Sequence, residues 1–209
     1  SRHFGLPRWA DQSVVSKTFR TFEAENISQL ERVWRDSLEA TQSIQAWKSR
    51  VETGEYITID IDLTGDVCKS KDDPTVTKGY FPNKRGKTGR QKAWAYMTAT
   101  DGKIHHLLAL EYGSGKMNLS HCLPSLLQKI VQLFELEHNK RRHLRKQIII
   151  RTDAAGGTPR NIGILEGFGF SYFLKGYSYQ VAKQVCELVS DWQKIPDKDG
   201  GWFGISSKT

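Results

Sequence analysis

Residues 56–64 read Tyr56-Ile57-Thr58-Ile59-Asp60-Ile61-Asp62-Leu63-Thr64. Apolar and polar side chains alternate, and a β-strand points successive side chains to opposite faces. Ile57, Ile59, Ile61 and Leu63 therefore make one face for a core, and Thr58, Asp60, Asp62 and Thr64 make the other. Two carboxylates on one strand face have two readings: a solvated surface with a turn starting at Asp62, or a chemical task.

Downstream of this strand, residues 78–92 (KGYFPNKRGKTGRQK) carry the bases Lys78, Lys84, Arg85, Lys87, Arg90 and Lys92 and no acid. Gly, Pro and Asn break up any regular element there, so the segment reads as a basic loop suited to a polyanion. Ala93–Thr100 and Lys103–Tyr112 follow as strand-like runs joined at Asp101-Gly102, a strong hairpin signal. Leu123, Leu126, Leu127, Ile130, Val131 and Phe134 give a helix over about 120–138 one apolar side.

The basic run Lys140–Lys146 closes that helix, either as compensation of the helix dipole or as a second nucleic-acid contact. Residues 147–151 form a short apolar strand ending at Thr152-Asp153. Thr158-Pro159 starts a helix that ends at Gly167 and Gly169. Residues 170–175 read as a strand and residues 181–192 as a helix. Upstream, Ile27, Leu30, Val33, Trp34, Leu38 and Ile44 recur at helical steps, with Asn26 as a plausible N-cap, and residues 11–19 suit a shorter helix.

This order predicts an α/β protein with a ribonuclease H-like mixed sheet flanked by helices and a small N-terminal helical segment. Tight hairpins come first, and helical crossovers that permit parallel neighbours follow. Residues 1–50 form the helical leader, 51–194 the ribonuclease H-like core, and 195–209 a Gly-, Lys- and Ser-rich tail.

Composition narrows the function classes. The chain has 209 residues and a formal net charge of +8, which favours a polyanionic partner. No apolar run approaches a membrane span, and the first residues lack an apolar signal core. Cys68, Cys122 and Cys186 are far apart and odd in number, which fits a reducing compartment better than a disulfide framework or a zinc site. Gly113-Ser114-Gly115-Lys116 lacks the spacing of a phosphate loop. His105 and His106, adjacent on one strand, point to opposite faces. Trp94 and Tyr96 share a face and suit base stacking, although core packing is the commoner use.

Asp153 follows a very apolar strand and precedes Ala154-Ala155-Gly156-Gly157, a segment that permits close backbone approach. Ligand sites in α/β sheets favour the carboxyl ends of strands. In a ribonuclease H-like order Asp62 (or Asp60) would face Asp153. Hard divalent cations prefer such oxygen pairs.

Ile59-Asp60-Ile61-Asp62-Leu63-Thr64, Lys78-Gly79-Tyr80-Phe81-Pro82-Asn83-Lys84 and Ile150-Arg151-Thr152-Asp153-Ala154 resemble bacterial insertion-sequence transposases of the DDE type. The likeness covers roughly residues 10–180, and it is to the branch with a D-x-D-x-T strand and an R-x-D turn. It implies three acids holding two Mg2+ ions, with Mn2+ as substitute. Water and then a 3′-hydroxyl would attack phosphodiesters in line. It also implies double-stranded DNA as partner (transposon ends and target), a homodimer, no membrane, and a nucleoid-associated place in the bacterial cytoplasm.

Carried over by residue, Asp62 is the first acid because the D-x-T spacing fits it, with Asp60 as the alternative, and Asp153 is the second. The family's third acid lies in a Y-x-x-R-x-x-x-E pattern. Here Tyr179 is followed at those offsets by Ala182 and Cys186; Glu187 is one residue out of register, and Glu166 lies on an earlier helix. The core is therefore expected to lack the third acid, and the tail would begin an inserted region. Two other readings stand beside transposition: a catalytically inactive DNA- or partner-binding remnant, and a metal-dependent nuclease of the same fold.

Overall fold

The computed structural model describes residues 11–21, 23–40, 43–69, 73–79, 81, 87–98, 105–176, 178–194 and 202–204. The chain divides into two compact units, Ser1–Ser49 and Arg50–Thr209.

In the first unit, α1 (Gln12–Arg20) and α2 (Ala24–Ala40) precede α3 (Ser43–Glu52), which runs across the boundary. The Asp11 carboxylate accepts the Ser13 N–H at 2.7 Å and caps α1. Asn26 does not cap α2 from outside. It sits in the first turn, and its side-chain oxygen accepts the Glu23 N–H at 3.0 Å, the backward half of a capping box. The apolar stripe expected on one long helix is split between α2 and α3. Leu38, Ile44 and Trp47 are buried, whereas Leu30, Val33 and Trp34 are 47%, 64% and 45% exposed.

The second unit is built on a six-stranded sheet. Its strands are β1 (Ile57–Val67), β2 (Thr77–Lys78), β3 (Thr88–Thr98), β4 (His105–Ser114), β5 (Ile148–Gly157) and β6 (Ser171–Gly176). β1 pairs β3 antiparallel and β5 parallel, β4 pairs β3 antiparallel, and β6 pairs β5 parallel. The path β4-β3-β1-β5-β6, antiparallel on one side of β1 and parallel on the other, is the ribonuclease H-like plan. β2 extends the edge held by β4, pairing with Thr88 and Gly89.

One face of the sheet carries Ile57, Ile59 and Ile61 with Ala93, Ala95 and Met97, all buried. The helix α4 (Leu119–Leu133) lies against β3, β4 and β5, with Leu123, Leu126, Leu127 and Ile130 fully buried. Lys129 and Ser125 of α4 both engage Glu111, the register partner of Ala93, so α4 covers this apolar face. The helix α5 (Pro159–Phe168) carries the parallel crossover from β5 to β6. Thr158 caps it by accepting the Asn161 N–H at 3.3 Å, and Gly169 ends it at φ +82°.

Three local expectations are corrected. The basic segment 78–92 is not all loop: Lys78 lies in β2, and Arg90 and Lys92 lie in β3. Gly79, Gly89 and Gly115 explain the difference. A Cβ on Gly79 would meet the Gly115 carbonyl, and one on Gly115 would meet the Thr77 and Gly89 carbonyls. Glycine here permits three backbones to approach one another, which extends the sheet into the expected loop.

The run Lys140–Lys146 does not close α4 but forms a separate 3-10 helix, Asn139–Gln147. Its arginines are structural: Arg145 donates to the carbonyls of Leu136 and Phe168, Arg142 to that of Gly167, and Arg141 to the Glu52 carboxylate. Finally, α6 stops at Glu187 (Tyr179–Glu187), and Trp192 lies in β7 (Trp192–Lys194), which pairs antiparallel with β8 (Trp202–Gly204). The Asp101-Gly102 turn lies outside the described residues; the β3 and β4 strands on either side pair antiparallel. Among the described residues, no helix is long and apolar enough to cross a membrane.

Candidate active site

The sheet face opposite α4 carries the alternate residues of β1: Thr58, Asp60, Asp62, Thr64 and Asp66. Antiparallel register sets Asp60 beside Tyr96, Asp62 beside Trp94 and Thr64 beside Lys92. On the parallel side Asp60 is the register partner of Arg151, and Ile61 that of Thr152. Asp62 and Asp153 thus occupy the next positions, just past the last paired residues of two neighbouring strands. Such strands run about 4.8 Å apart.

The three acids have different surroundings. Asp60 is buried, 8% exposed, and both of its oxygens are taken by Arg151: Oδ1 accepts from Nε, and Oδ2 accepts from Nη2 at 2.8 Å. This fork raises the Arg151 pKa above its ordinary value, first through the hydrogen bond to Asp60. Asp62 is exposed, and its Oδ2 accepts the Thr64 hydroxyl at 3.1 Å.

Asp153 is also exposed, and its Oδ1 accepts the Ala155 N–H at 2.9 Å, a turn closed by its own side chain. Asn161 fixes that turn from α5, donating from Nδ2 to the Ala155 carbonyl at 3.1 Å. The β5–β6 pairing is interrupted between Thr152 and Gly157, so the segment after Asp153 leaves the ladder. Gly156 folds onto the Thr152 side chain, where a Cβ would clash. Tyr96 reports the charge of the site: burial first, then the negative charges of Asp60 and Asp62, push its hydroxyl pKa up.

Asp62 and Asp153 are thus two exposed carboxylates, each oriented through one oxygen by an internal donor, and carboxylate oxygen is the donor type that Mg2+ and Mn2+ prefer. No third His, Cys, Asp or Glu joins them among the described residues. Glu166 accepts the Tyr172 hydroxyl at 3.0 Å, and Glu187 is exposed on α6.

Of the predicted nucleic-acid contacts, Lys78 and Lys87 are exposed. Arg90 pairs with Asp73, and Lys92 pairs with Asp66 at 3.0 Å. Lys84 and Arg85 lie outside the described residues. Phe81 is buried against Gly65 of β1 and anchors the basic segment to the sheet.

Sequence reasoning missed the role of Arg151. The signal was Asp60 itself, a carboxylate on a partly covered strand that needs a cation on the next strand. It also missed the cluster in which Lys92 Nζ lies 5.8 Å from the ring centroids of both Trp94 and Tyr112, a pairing made by the β3–β4 register.

No family model matches the sequence, and no curated protein matches it. Among solved structures, the chain is similar to a pre-cleavage Mos1 transpososome, at 14% identity over 87% of this chain and 52% of that chain, with a TM-score of 0.35. It is similar to the catalytic domain of Mos1 mariner transposase at 10% identity over 87% and 83% of the two chains, with a TM-score of 0.34. For the Mos1 mariner paired-end complex with Mn the figures are 15%, 87%, 57% and 0.30. The chain spans about half the length of the first of these. At such identities and scores the fold rests on the strand order and registers.

Proposed function

We propose that this chain carries the catalytic core of a DNA transposase of the DDE type, from a bacterial insertion sequence, acting in the nucleoid as a homodimer on transposon ends and target DNA. The observation that supports the reading is the parallel register of β1 and β5, in which Asp62 and Asp153 follow Ile61 and Thr152, the last residues the two strands pair. Two neighbouring carboxylates repel unless a proton or a cation joins them. Asp62 and Asp153 hold a divalent cation in this reading, with Asp60 committed to Arg151 behind them. When bound, Mg2+ neutralises phosphate charge and lowers the pKa of coordinated water.

The chain's own groups supply the rest. The Thr64 hydroxyl and the Ala155 N–H orient the two carboxylates. In this reading Lys78, Lys84, Arg85, Lys87, Arg90 and Lys92 are the phosphate contacts.

Mn2+ titration followed by electron paramagnetic resonance tests the reading. Wild-type chain should bind the ion, and Asp62→Asn and Asp153→Asn should each abolish binding. Undiminished affinity in Asp153→Asn would overturn the assignment. A strand-joining assay with 3′-hydroxyl DNA ends and a plasmid target then separates a transposase from a nuclease, because only the former yields joined product.

A further inference from the structure

Beside Asp62 lies a pocket of ≈ 420 Å³ lined by Asp62, Trp94, Tyr96 and Leu107. The β3 register builds it: Trp94 pairs across to Asp62, and Tyr96 lies between Asp60 and Leu107. Ala93, Ala95 and Met97 point to the other face and are buried, whereas Trp94 and Tyr96 are only half-buried. These two aromatic residues therefore do not serve the core under α4. They present ring surface to a cavity whose size suits a small planar ligand.

The surroundings select the ligand. Lys92 is already paired with Asp66 and lies over the Trp94 and Tyr112 rings, and Arg90 is paired with Asp73. Each of these cations already has a carboxylate partner, so among the described residues the pocket itself offers ring stacking. A nucleobase matches it, having a π-face for aromatic side chains and amino edges that a carboxylate can accept. Bases inside a duplex have both faces stacked, so only an unpaired or extruded base can enter.

We infer that the pocket receives an unpaired nucleobase of a DNA strand, stacked on Trp94 and Tyr96 next to the phosphate handled at Asp62 and Asp153. The inference rests on the DNA reading above and deepens it. It is tested by binding alone, with no metal and no cleavage.

The full chain, in EDTA, is titrated with a labelled single-stranded DNA 12-mer, an abasic strand of the same length, and the 12-mer as duplex. The single strand should bind about 5- to 100-fold more tightly than the abasic strand, because each stacked base contributes on that scale. Trp94→Ala should remove most of that advantage, Trp94→Phe should keep it, and duplex affinity should stay unchanged in both.

Equal binding of the normal and abasic strands by wild-type chain overturns the pocket assignment without any variant, so a misfolded Trp94→Ala cannot obscure the result. Equal losses for single strand and duplex in Trp94→Ala overturn it as well. The outcomes also separate the two proposals. Base-dependent binding with no Mn2+ site leaves the pocket standing and removes the catalytic reading. An Mn2+ site with base-independent binding does the reverse.

Discussion

Arg151 of β5 grips both carboxylate oxygens of Asp60 on β1, ninety-one residues away in sequence, and so fastens together the two strands that carry Asp62 and Asp153. The pair is asymmetric. The Asp60 side chain is 11% exposed and that of Arg151 is 54% exposed. Removing the acid returns Arg151 to water, whereas removing the base leaves a buried carboxylate without its donors.

Arg151→Ala should therefore destabilise the fold more than Asp60→Ala, by about 2–3 kcal/mol against about 1 kcal/mol. Urea unfolding followed by circular dichroism gives both values. Equal costs, or the reverse order, would mean that the fork contributes little. Arg151→Lys should recover only part of the loss, since an ammonium cannot reproduce the two-pronged geometry.

Arg145 is the second arginine whose work is internal. It donates to the Leu136 carbonyl from Nε at 3.1 Å and from Nη2 at 2.7 Å, and to the Phe168 carbonyl from Nη1 at 3.0 Å. Arg145→Met keeps the stem and removes every donor, and should cost about 3 kcal/mol in the same unfolding assay. Its DNA affinity should match wild type, which distinguishes Arg145 from a phosphate contact.

Cys122 is buried on α4, and burial pushes its thiol pKa up to about 11, whereas Cys186 is exposed. At pH 8 iodoacetamide should label Cys186 rapidly and leave Cys122 untouched until the chain unfolds. The sign of the pH effect follows. The folded thiol holds its proton more tightly than the unfolded one, whose value is 9.0, so its contribution is complete below pH 9 and is lost as pH rises through 11. The difference in stability between wild type and Cys122→Ala should therefore narrow over that window, and a constant difference would refute the shift.

The basic residues should separate by their partners. Lys87 is exposed, whereas Arg90 already pairs with Asp73. Lys87→Ala should lower the slope of log affinity for duplex DNA against log salt by about 1, and Arg90→Ala by clearly less. Equal slopes in wild type and Lys87→Ala would exclude Lys87 from the phosphate contacts.

Gly79→Ala places a methyl group against the Gly115 backbone carbonyl, which cannot swing away as a side chain can. A loss of about 1–3 kcal/mol is expected, read from the urea midpoint. Gly163→Ala, in α5 with open space around its Cβ position, is the control and should stabilise slightly.

Much of this was legible from Tyr56–Thr64 onward. Strict alternation fixed the faces of β1, and the switch from hairpin to helical crossovers ordered the sheet. What escaped reading depends on distant parts of the chain. Nothing local marks Arg151 as the partner of Asp60, because the register of two parallel strands creates the pair. The glycines near β2 read as breakers of regular structure because a sequence does not reveal which backbones will press together. The same holds for Lys140–Lys146, where a run of charge gives no hint that Arg145 turns inward to cap two carbonyls. The acids Asp62 and Asp153 were visible because one sits on the polar face of an alternating strand and the other follows an apolar run, where a core gives no reason for a carboxylate.

The central position of β1 also governs the order in which the sheet assembles. Its antiparallel partner β3 lies close along the chain and can pair early, but β5 must return across a long intervening stretch whose closure is entropically slow. The strand bearing Asp153 is thus expected to dock late, after the hairpins have formed. Asp62 would then wait on a half-built sheet, and the pair of acids would come into being only with the last cooperative step. In the proposed reading, an ion held between them would bind only once both strands are in place.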